Sequence, residues 1–149
     1  MAQPDYPLNI LLVDDDAANR GMFVLMLREI GIGDRPVVET AKHGGEAVEK
    51  VQLGVGSSEL PLPFDLIFMD CCMPEMDGYA ATGHIRTEEG SNRRVTIIGL
   101  TALSLAGDRD QCFATGMDDC LNKPISMEDL KAVILKWLPH ILQRRQIDV

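Results

Sequence analysis

Strand-like apolar runs and segments with helical spacing alternate five times along this chain. The strand-like runs lie at residues 9–13, 36–40, 64–69, 95–101 and 119–122. Short and nearly continuous apolar runs are typical of strands that are buried on both faces of a sheet. The helical segments lie at 17–30, 45–53, 78–87, 104–115 and in a last helix from about residue 126. Strict alternation predicts an α/β fold in which helices cover both faces of a five-stranded parallel sheet.

The two ends of the chain carry little of this pattern. Residues 1–7 and 143–149 are therefore expected to be flexible tails around one domain with its core at about 9–137. Pro139 lies within the last helical segment and predicts that this helix ends or bends near Trp137. The pattern leaves no stretch over for a second domain.

Charged side chains follow three of the predicted strands, at the point where each strand ends. Asp14, Asp15 and Asp16 follow the first strand, Asp70 follows the third, and Lys123 follows the fifth. Parallel sheets bind ligands outside the carboxyl ends of their strands. We therefore expect these side chains to form one pocket for a divalent cation and a phosphoryl group.

The acidic side chains of this pocket predict a metal site. Asp14, Asp15 and Asp70 would bring three carboxylates together, which raises pKa values and destabilises the fold unless a cation is bound. Oxygen ligands alone favour Mg²⁺, which accepts one or two carboxylates, phosphate oxygens and water. The alternative is that these aspartates cap helices. Asp16 fits that alternative as an N-cap, but Asp14 and Asp15 fit it less well because one cap is enough.

Asp70 is the predicted phosphoryl acceptor of this pocket. A carboxylate at the tip of a rigid strand is well placed for in-line attack on phosphorus, which forms an acyl phosphate. Lys123 would pair with Asp70 before the transfer and with a phosphoryl oxygen after it. Thr101, at the end of the fourth strand, would supply a hydroxyl donor, although strand propensity alone explains a β-branched residue there equally well.

Composition excludes several other classes of protein. The chain has 149 residues, of which 46% are hydrophobic and 25% charged, as in ordinary globular domains. Its formal net charge of −9 argues against nonspecific binding to nucleic acid or to an anionic membrane. No apolar stretch is long enough to span a bilayer, and the N-terminus lacks the features of a signal peptide. Four cysteines without metal-site spacing predict reduced thiols in a cytoplasmic protein.

Two stretches of the sequence, at 69–79 and 116–125, resemble the receiver domains of two-component response regulators. The style of both motifs is closest to the receivers of hybrid histidine kinases, and the similarity extends over about 9–137. The resemblance implies a flavodoxin-like, receiver-type sheet with strand order 2-1-3-4-5. It also implies that the phosphoryl donor is a phosphohistidine on a histidine kinase or on a histidine phosphotransfer protein.

The resemblance further implies a Mg²⁺ site and a phosphoryl site that meet at Asp70. The implied Mg²⁺ ligands are Asp15, Asp70 and the backbone carbonyl of Cys72, with Asp14 acting through water. The implied phosphoryl-binding groups are Thr101, the backbone of Ala102, and Lys123. Thr101 would be the switch residue that moves to the phosphoryl group, and the peptide bond between Lys123 and Pro124 would be cis.

On this hypothesis the protein is a two-state switch and not an enzyme beyond its own phosphorylation and slow autodephosphorylation. Phosphorylation would add charge at Asp70, draw Thr101 inward and repack the fourth helix, which has few apolar anchors and is expected to be the least stable. The altered surface would include the fourth helix, the fifth strand and the last helix, which could also support a homodimer. Many receivers carry an aromatic residue where this chain has Cys120, so the usual aromatic coupling is not available here.

Two other hypotheses remain open. The chain could be a small aspartate-nucleophile phosphatase in which Asp14 attacks and residues 107–110 supply later acids, but this leaves Asp70 without a role and the chain has no cap domain. It could also be a binding module that never accepts phosphate, but such modules usually lose an acid or the lysine, and every such position is intact. Trp137, on the last helix, is expected to lie away from the site.

Overall fold

The structure is a computed structural model that describes residues 7–32, 35–55, 64–73, 77–89, 95–102 and 106–147. Its strands are β1 (Asn9–Val13), β2 (Val37–Ala41), β3 (Leu66–Asp70), β4 (Thr96–Thr101) and β5 (Asp119–Asn122). Its helices are α1 (Ala17–Arg28), α2 (Gly44–Val55), α3 (Gly78–Glu89), α4 (Ala106–Thr115) and α5 (Met127–Ile147). The ends at 1–6 and 148–149, which the sequence assigns to tails, lie outside the described residues.

The five strands form one parallel sheet in the order β2-β1-β3-β4-β5, which confirms the predicted fold class and strand order. Each strand is followed by a helix, and the connections place helices on both faces of the sheet. The central strands β3 and β4 are buried along their whole length, because both of their faces are covered.

Alternate side chains of each strand enter two separate apolar cores. On one face, Ile67 of β3 packs in a cluster with side chains of α2, α3 and α4. On the other face, Phe68 packs in a cluster with side chains of α1 and α5, and its ring centroid lies 5.0 Å from that of Phe23 in α1. A change of register by one residue would exchange these two sets, so the apolar alternation specifies the register.

The end of α5 differs from its prediction. The helix does not end near Trp137 but continues through Pro139 to Ile147, so residues 143–147, which the sequence assigns to a flexible tail, are helical. The alternative that the helix bends there remains a prediction. The fully buried side chains of Leu138 and Ile141 hold the helix against the sheet on both sides of Pro139, although proline cannot donate a backbone hydrogen bond there. Arg144 is buried as well, and its Nη2 donates to the carbonyl of Phe64 over 3.3 Å.

Smaller differences concern the ends of other helices. α1 ends at Arg28, two residues earlier than predicted, because Glu29 caps it and Gly31 adopts a left-handed conformation with φ of 74°.

None of the described helices combines the length and apolar character required to cross a lipid bilayer.

The described part of helix α4 buries few apolar side chains. Among its side chains at 109–115, Cys112 is the buried one, and Phe113 is 46% exposed. This sparse burial is consistent with the prediction that α4 is the least stable helix, a ranking that remains a prediction.

Gly78, the first residue of α3, lies close to the backbone at the end of β3. A Cβ atom at this position would overlap the backbone carbonyl of Asp70 and would also contact Met69. The first residue of α3 must therefore lack a side chain if Asp70 is to keep its position.

Replacing Gly78 by alanine should destabilise the protein by about 2 kcal/mol, because the backbone of Asp70 cannot move aside without strain. The matched control is Gly83→Ala in the same helix, where a Cβ would meet no atom within 4 Å. That variant should gain about 0.5–1 kcal/mol from the lower entropy of its unfolded chain. Urea unfolding of both variants would measure the difference, and equal stabilities would contradict the close approach at Gly78.

Candidate functional site

The functional residues predicted from the sequence meet at the carboxyl end of the sheet. Asp70 and Thr101 are the last residues of β3 and β4, Asp14 directly follows β1, and Lys123 directly follows β5. Because these four strands are neighbours in the sheet, their ends bring the side chains to one edge.

One ammonium group contacts two carboxylates in this pocket. Lys123 Nζ lies 3.1 Å from Asp70 Oδ2 and 3.4 Å from Asp14 Oδ2. Both aspartates are buried, with 3% of Asp70 and 4% of Asp14 exposed. Lys123 therefore joins the end of β5 to strands at the centre of the sheet.

Backbone hydrogen bonds fix the orientation of the two carboxylates. Asp14 Oδ1 accepts the N–H of Asp16 over 2.9 Å, and Asp70 Oδ1 accepts the N–H of Cys72 over 3.2 Å. The carbonyl of Asp14 also accepts a hydrogen bond of 2.8 Å from Nη1 of Arg20, a residue that the sequence did not single out. Each carboxylate thus directs one oxygen to the backbone and the other towards Lys123.

The pocket holds more negative charge than its lysine can neutralise. Burial raises the pKa of Asp70 above its ordinary value, although hydrogen bonds from Cys72 and Lys123 act in the opposite direction. Burial alone would lower the pKa of Lys123, but its contacts with Asp70 and Asp14 outweigh that effect and raise the pKa. The ammonium is therefore held in its charged form, while the carboxylate of Asp70 is under-compensated.

Three carboxylates of this pocket are arranged so that they could hold a cation. Asp14, Asp15 and Asp70 each offer one oxygen, and these oxygens lie within 4.8 Å of one another. Asp15 is exposed whereas the other two are buried, so the group opens to solvent on one side. An all-oxygen group with access to water fits the preference of Mg²⁺ for a few carboxylates and several waters. Asp16, in contrast, caps α1 by accepting the N–H of Asn19, as predicted.

Thr101 lies beside the acidic group and is tied to the lysine through the backbone. Its side chain is buried, and its carbonyl accepts the N–H of Lys123 over 2.8 Å. Ala102 follows it in an exposed position, and the peptide bond between Lys123 and Pro124 is cis, as the resemblance implied. The roles of Thr101, of Ala102 and of the Cys72 carbonyl in binding remain predictions.

An open pocket of about 350 Å³ adjoins this site and was not predicted from the sequence. Asp14 and Lys123 line it together with Asn19 and an apolar set, namely Met22, Phe23, Met26, Leu100, Pro124 and Ile125. Met22 is 66% exposed and Leu25, also on α1, is 62% exposed. Apolar residues of α1 that lie outside its buried stripe, such as Met22 and Leu25, are the sequence feature that would have predicted this pocket.

Comparison with known proteins agrees with this geometry. A model of the response regulator receiver domain matches residues 10–135. Hybrid signal transduction histidine kinase G of Dictyostelium discoideum is 37% identical over 136 residues, which are 91% of this chain and 4% of that protein. Two-component system protein A of Emericella nidulans is 36% identical over 129 residues, which are 87% of this chain and 17% of that protein. The chain thus spans a small part of the length of these relatives.

Solved structures show the same similarity. The receiver domain of sensor histidine kinase PA1611 from Pseudomonas aeruginosa, crystallised with a magnesium ion coordinated in its active site cleft, is 35% identical with a TM-score of 0.70. The match covers 90% of this chain and 99% of that one. The receiver domain of Ssk1 from Saccharomyces cerevisiae, crystallised with the histidine phosphotransfer protein Ypd1, is 28% identical with a TM-score of 0.73 and 88% coverage of both chains.

Replacing Lys123 by methionine should lower the free energy of unfolding by about 2–4 kcal/mol at pH 7, because it leaves two buried carboxylates without their cation. The deficit should shrink as the pH falls. Lys123 lowers the pKa of Asp70, so its removal raises that pKa further above the value in the unfolded chain, and the folded variant gains more stability from protonation than the original chain does. Urea unfolding at pH 7 and pH 5 without divalent cations would measure both effects.

The matched control for this variant is Lys131→Met, which removes an exposed lysine of α5. It should change the stability by less than about 0.5 kcal/mol at either pH. An equal loss in the two variants would show that Lys123 does not compensate the buried carboxylates.

Proposed function

Since this chain belongs to the family of response regulator receiver domains, we propose that it acts as a signalling switch that accepts a phosphoryl group on Asp70 from a phosphohistidine donor. The observation that carries the proposal is the position of Asp70 at the end of β3, with Lys123 Nζ 3.1 Å from one of its oxygens. The neighbouring carboxylates of Asp14 and Asp15 complete the site.

The geometry suits an in-line transfer. The bond from an oxygen of Asp70 to phosphorus forms while the bond from phosphorus to the imidazole nitrogen of the donor breaks, and the product is an acyl phosphate. Lys123 then moves from the carboxylate to a phosphoryl oxygen. Thr101, buried at the end of the adjacent strand β4, donates its hydroxyl to another phosphoryl oxygen and so responds to the modification.

The cofactor we propose is Mg²⁺. Asp15, Asp70 and the backbone carbonyl of Cys72 would hold the ion, and Asp14 would act through water. The excess of carboxylates over ammonium groups in the pocket supports this assignment, because the phosphoryl group adds further negative charge. When bound, Mg²⁺ neutralises charge on the phosphoryl oxygens.

The phosphatase alternative finds less support. It needs Asp14 as the nucleophile, and it does not explain why Asp70 shares Lys123 with Asp14. Asp110, one of the acids that this alternative would use, is exposed on α4. Turnover of a small phosphomonoester that is lost in Asp14→Asn but kept in Asp70→Asn would favour the phosphatase.

The proposed donor is a histidine kinase or a histidine phosphotransfer protein that docks on α1. The apolar pocket beside α1 is continuous with the site, because Asp14 and Lys123 line both. Met22, which lines this pocket, is exposed, and so is Leu25, three residues further along α1. A donor that covers it would bring its phosphohistidine to Asp70 and would exclude water from the transfer.

The proposed output surface consists of α4, β5 and α5. Phe113 on α4 and Met127 at the start of α5 are exposed apolar residues on these elements. A partner, or a second copy of the chain in a homodimer, would bind there in response to the state of Asp70.

Acetyl phosphate with Mg²⁺ should add one phosphoryl group to the protein, and Asp70→Asn should abolish the adduct because the amide is not a nucleophile towards phosphorus. Intact-mass measurement with and without Mg²⁺ tests both statements. An adduct that persists in Asp70→Asn would refute the assignment of the acceptor.

The Mg²⁺ requirement has its own control within the acidic run. Asp15→Asn removes a proposed ligand and should therefore raise the Mg²⁺ concentration that the same reaction requires for its half-maximal rate. Asp16→Asn makes the same change in charge but keeps an N-cap for α1, so its Mg²⁺ dependence should match that of the original chain.

Met22→Glu should reduce phosphotransfer from a histidine phosphotransfer protein about tenfold relative to the reaction with acetyl phosphate, because it places a charge in the apolar docking surface. Met127→Glu makes the same substitution at an exposed methionine of α5 and should leave the ratio of the two rates unchanged. Rates with both donors measure that ratio. A ratio that falls equally in the two variants would contradict docking on α1.

A further inference from the structure

The buried carboxylate of Asp119 joins the strand β5 to the helices α4 and α5. Asp119 is the first residue of β5 and is 6% exposed. Its Oδ2 accepts hydrogen bonds from Lys136 Nζ over 2.9 Å and from Trp137 Nε1 over 3.0 Å, both in α5. Its Oδ1 accepts the N–H of Cys120 and lies 3.9 Å from Nη2 of Arg109, which belongs to α4.

Asp119 keeps its charge in spite of burial. Burial by itself disfavours the carboxylate, but the hydrogen bonds from Lys136 and Trp137 outweigh it and hold the pKa below its ordinary value. The indole N–H of Trp137 therefore meets a full negative charge, and the ammonium of Lys136 also lies 5.7 Å from the centre of the Trp137 ring.

The contact of Arg109 with Asp119 is a polar attachment of α4 to β5. Among the described side chains of α4, Cys112 is the buried one, and it packs in the same apolar cluster as Cys120. The side chain of Arg109 is half exposed and its guanidinium lies 5.8 Å from the centre of the Phe113 ring. A small movement of α4 would therefore withdraw Arg109 from Asp119 without disturbing a large core.

Helix α4 is also the element that follows the phosphoryl site along the chain. It begins at Ala106, a few residues after Thr101, the last residue of β4. A displacement of Thr101 towards a phosphoryl group would therefore reach α4 over a short length of chain. Cys120, which follows Asp119 in β5, is buried and has a small side chain.

We propose that Asp119 is a positioning residue that couples the position of α4 to the side chains of α5. Through this coupling, phosphorylation at Asp70 would change the output surface. This inference rests on the proposed phosphoacceptor function. When α4 repacks, Arg109 leaves Asp119, and the carboxylate then keeps its hydrogen bonds from Lys136, Trp137 and the backbone N–H of Cys120. The loss of the Arg109 guanidinium changes the charge distribution around the Trp137 indole, although Trp137 was expected to lie away from the site.

Trp137 makes the coupling measurable, because it is the single tryptophan of the chain. The test is a titration of the full chain with beryllofluoride in the presence of Mg²⁺, followed by tryptophan emission and, independently, by calorimetry. The original chain should show a saturable change in emission with the same midpoint as the calorimetric curve.

Arg109→Gln should lose most of the emission change while it still binds beryllofluoride, with an apparent affinity altered by about 2- to 30-fold. This variant leaves the contacts of Asp119 with α5 in place, so it is expected to fold. Arg109→Lys, which retains the positive charge, should restore part of the emission change. A merely structural role of Arg109 would not produce this pattern of loss and rescue.

Asp119→Asn should also lose the emission change, whereas the matched control Asp129→Asn, at an exposed acid in the first turn of α5, should keep it. Binding in calorimetry without any emission change in the original chain would overturn the inference and leave the proposed function intact. A full emission change in Arg109→Gln would overturn it as well. An absence of calorimetric binding would overturn the proposed function, and the inference with it.

Discussion

The contact of Lys123 with the buried carboxylates of Asp14 and Asp70 is the interaction on which the site depends. It joins the end of the edge strand β5 to the ends of β3 and β1. The strand β4 lies between β5 and β3 in the sheet, so the contact spans it. The single ammonium contacts two buried carboxylates, and an exposed third carboxylate lies beside them. The ammonium stabilises the pocket, but the pocket keeps a net negative charge. This imbalance explains why the same residues suit both a stable resting state and the binding of a cation or a phosphoryl group.

Burial of side chains is distributed unequally around this site. β3 and β4 are buried along their whole length, and α1 and α5 pack closely on one face through a large apolar cluster. On the other face, the described part of α4 contributes one buried side chain, that of Cys112. The proposed acceptor on a fully buried strand and a helix with few buried side chains are the two parts that a chemically driven switch would require. The polar contacts of Asp119 give that helix a specific connection to α5.

Most of the fold and the members of the candidate site were predictable, and the failures have physical causes. Asp16 was recognised as a cap because that role depends on a few neighbouring residues. Pro139 was expected to end or bend α5. The helix does not end there but continues to Ile147, because burial of Leu138 and Ile141 against the sheet outweighs one lost hydrogen bond. The α1 pocket was missed since Lys123 and Met22 meet there only after folding, and the same is true of Arg109 and Trp137 around Asp119.

The sequence by itself determined the order of strands and helices, the parallel sheet, and the presence of acids and a lysine at strand ends. It could do so because the period of apolar side chains and the ends of apolar runs are local properties of the chain. Tertiary structure alone settled which oxygen faces Lys123, that Asp15 stays exposed while Asp14 and Asp70 are buried, and which residues surround Asp119. Those features depend on distances between residues far apart in the chain, and such distances exist only once the sheet has brought its strands together.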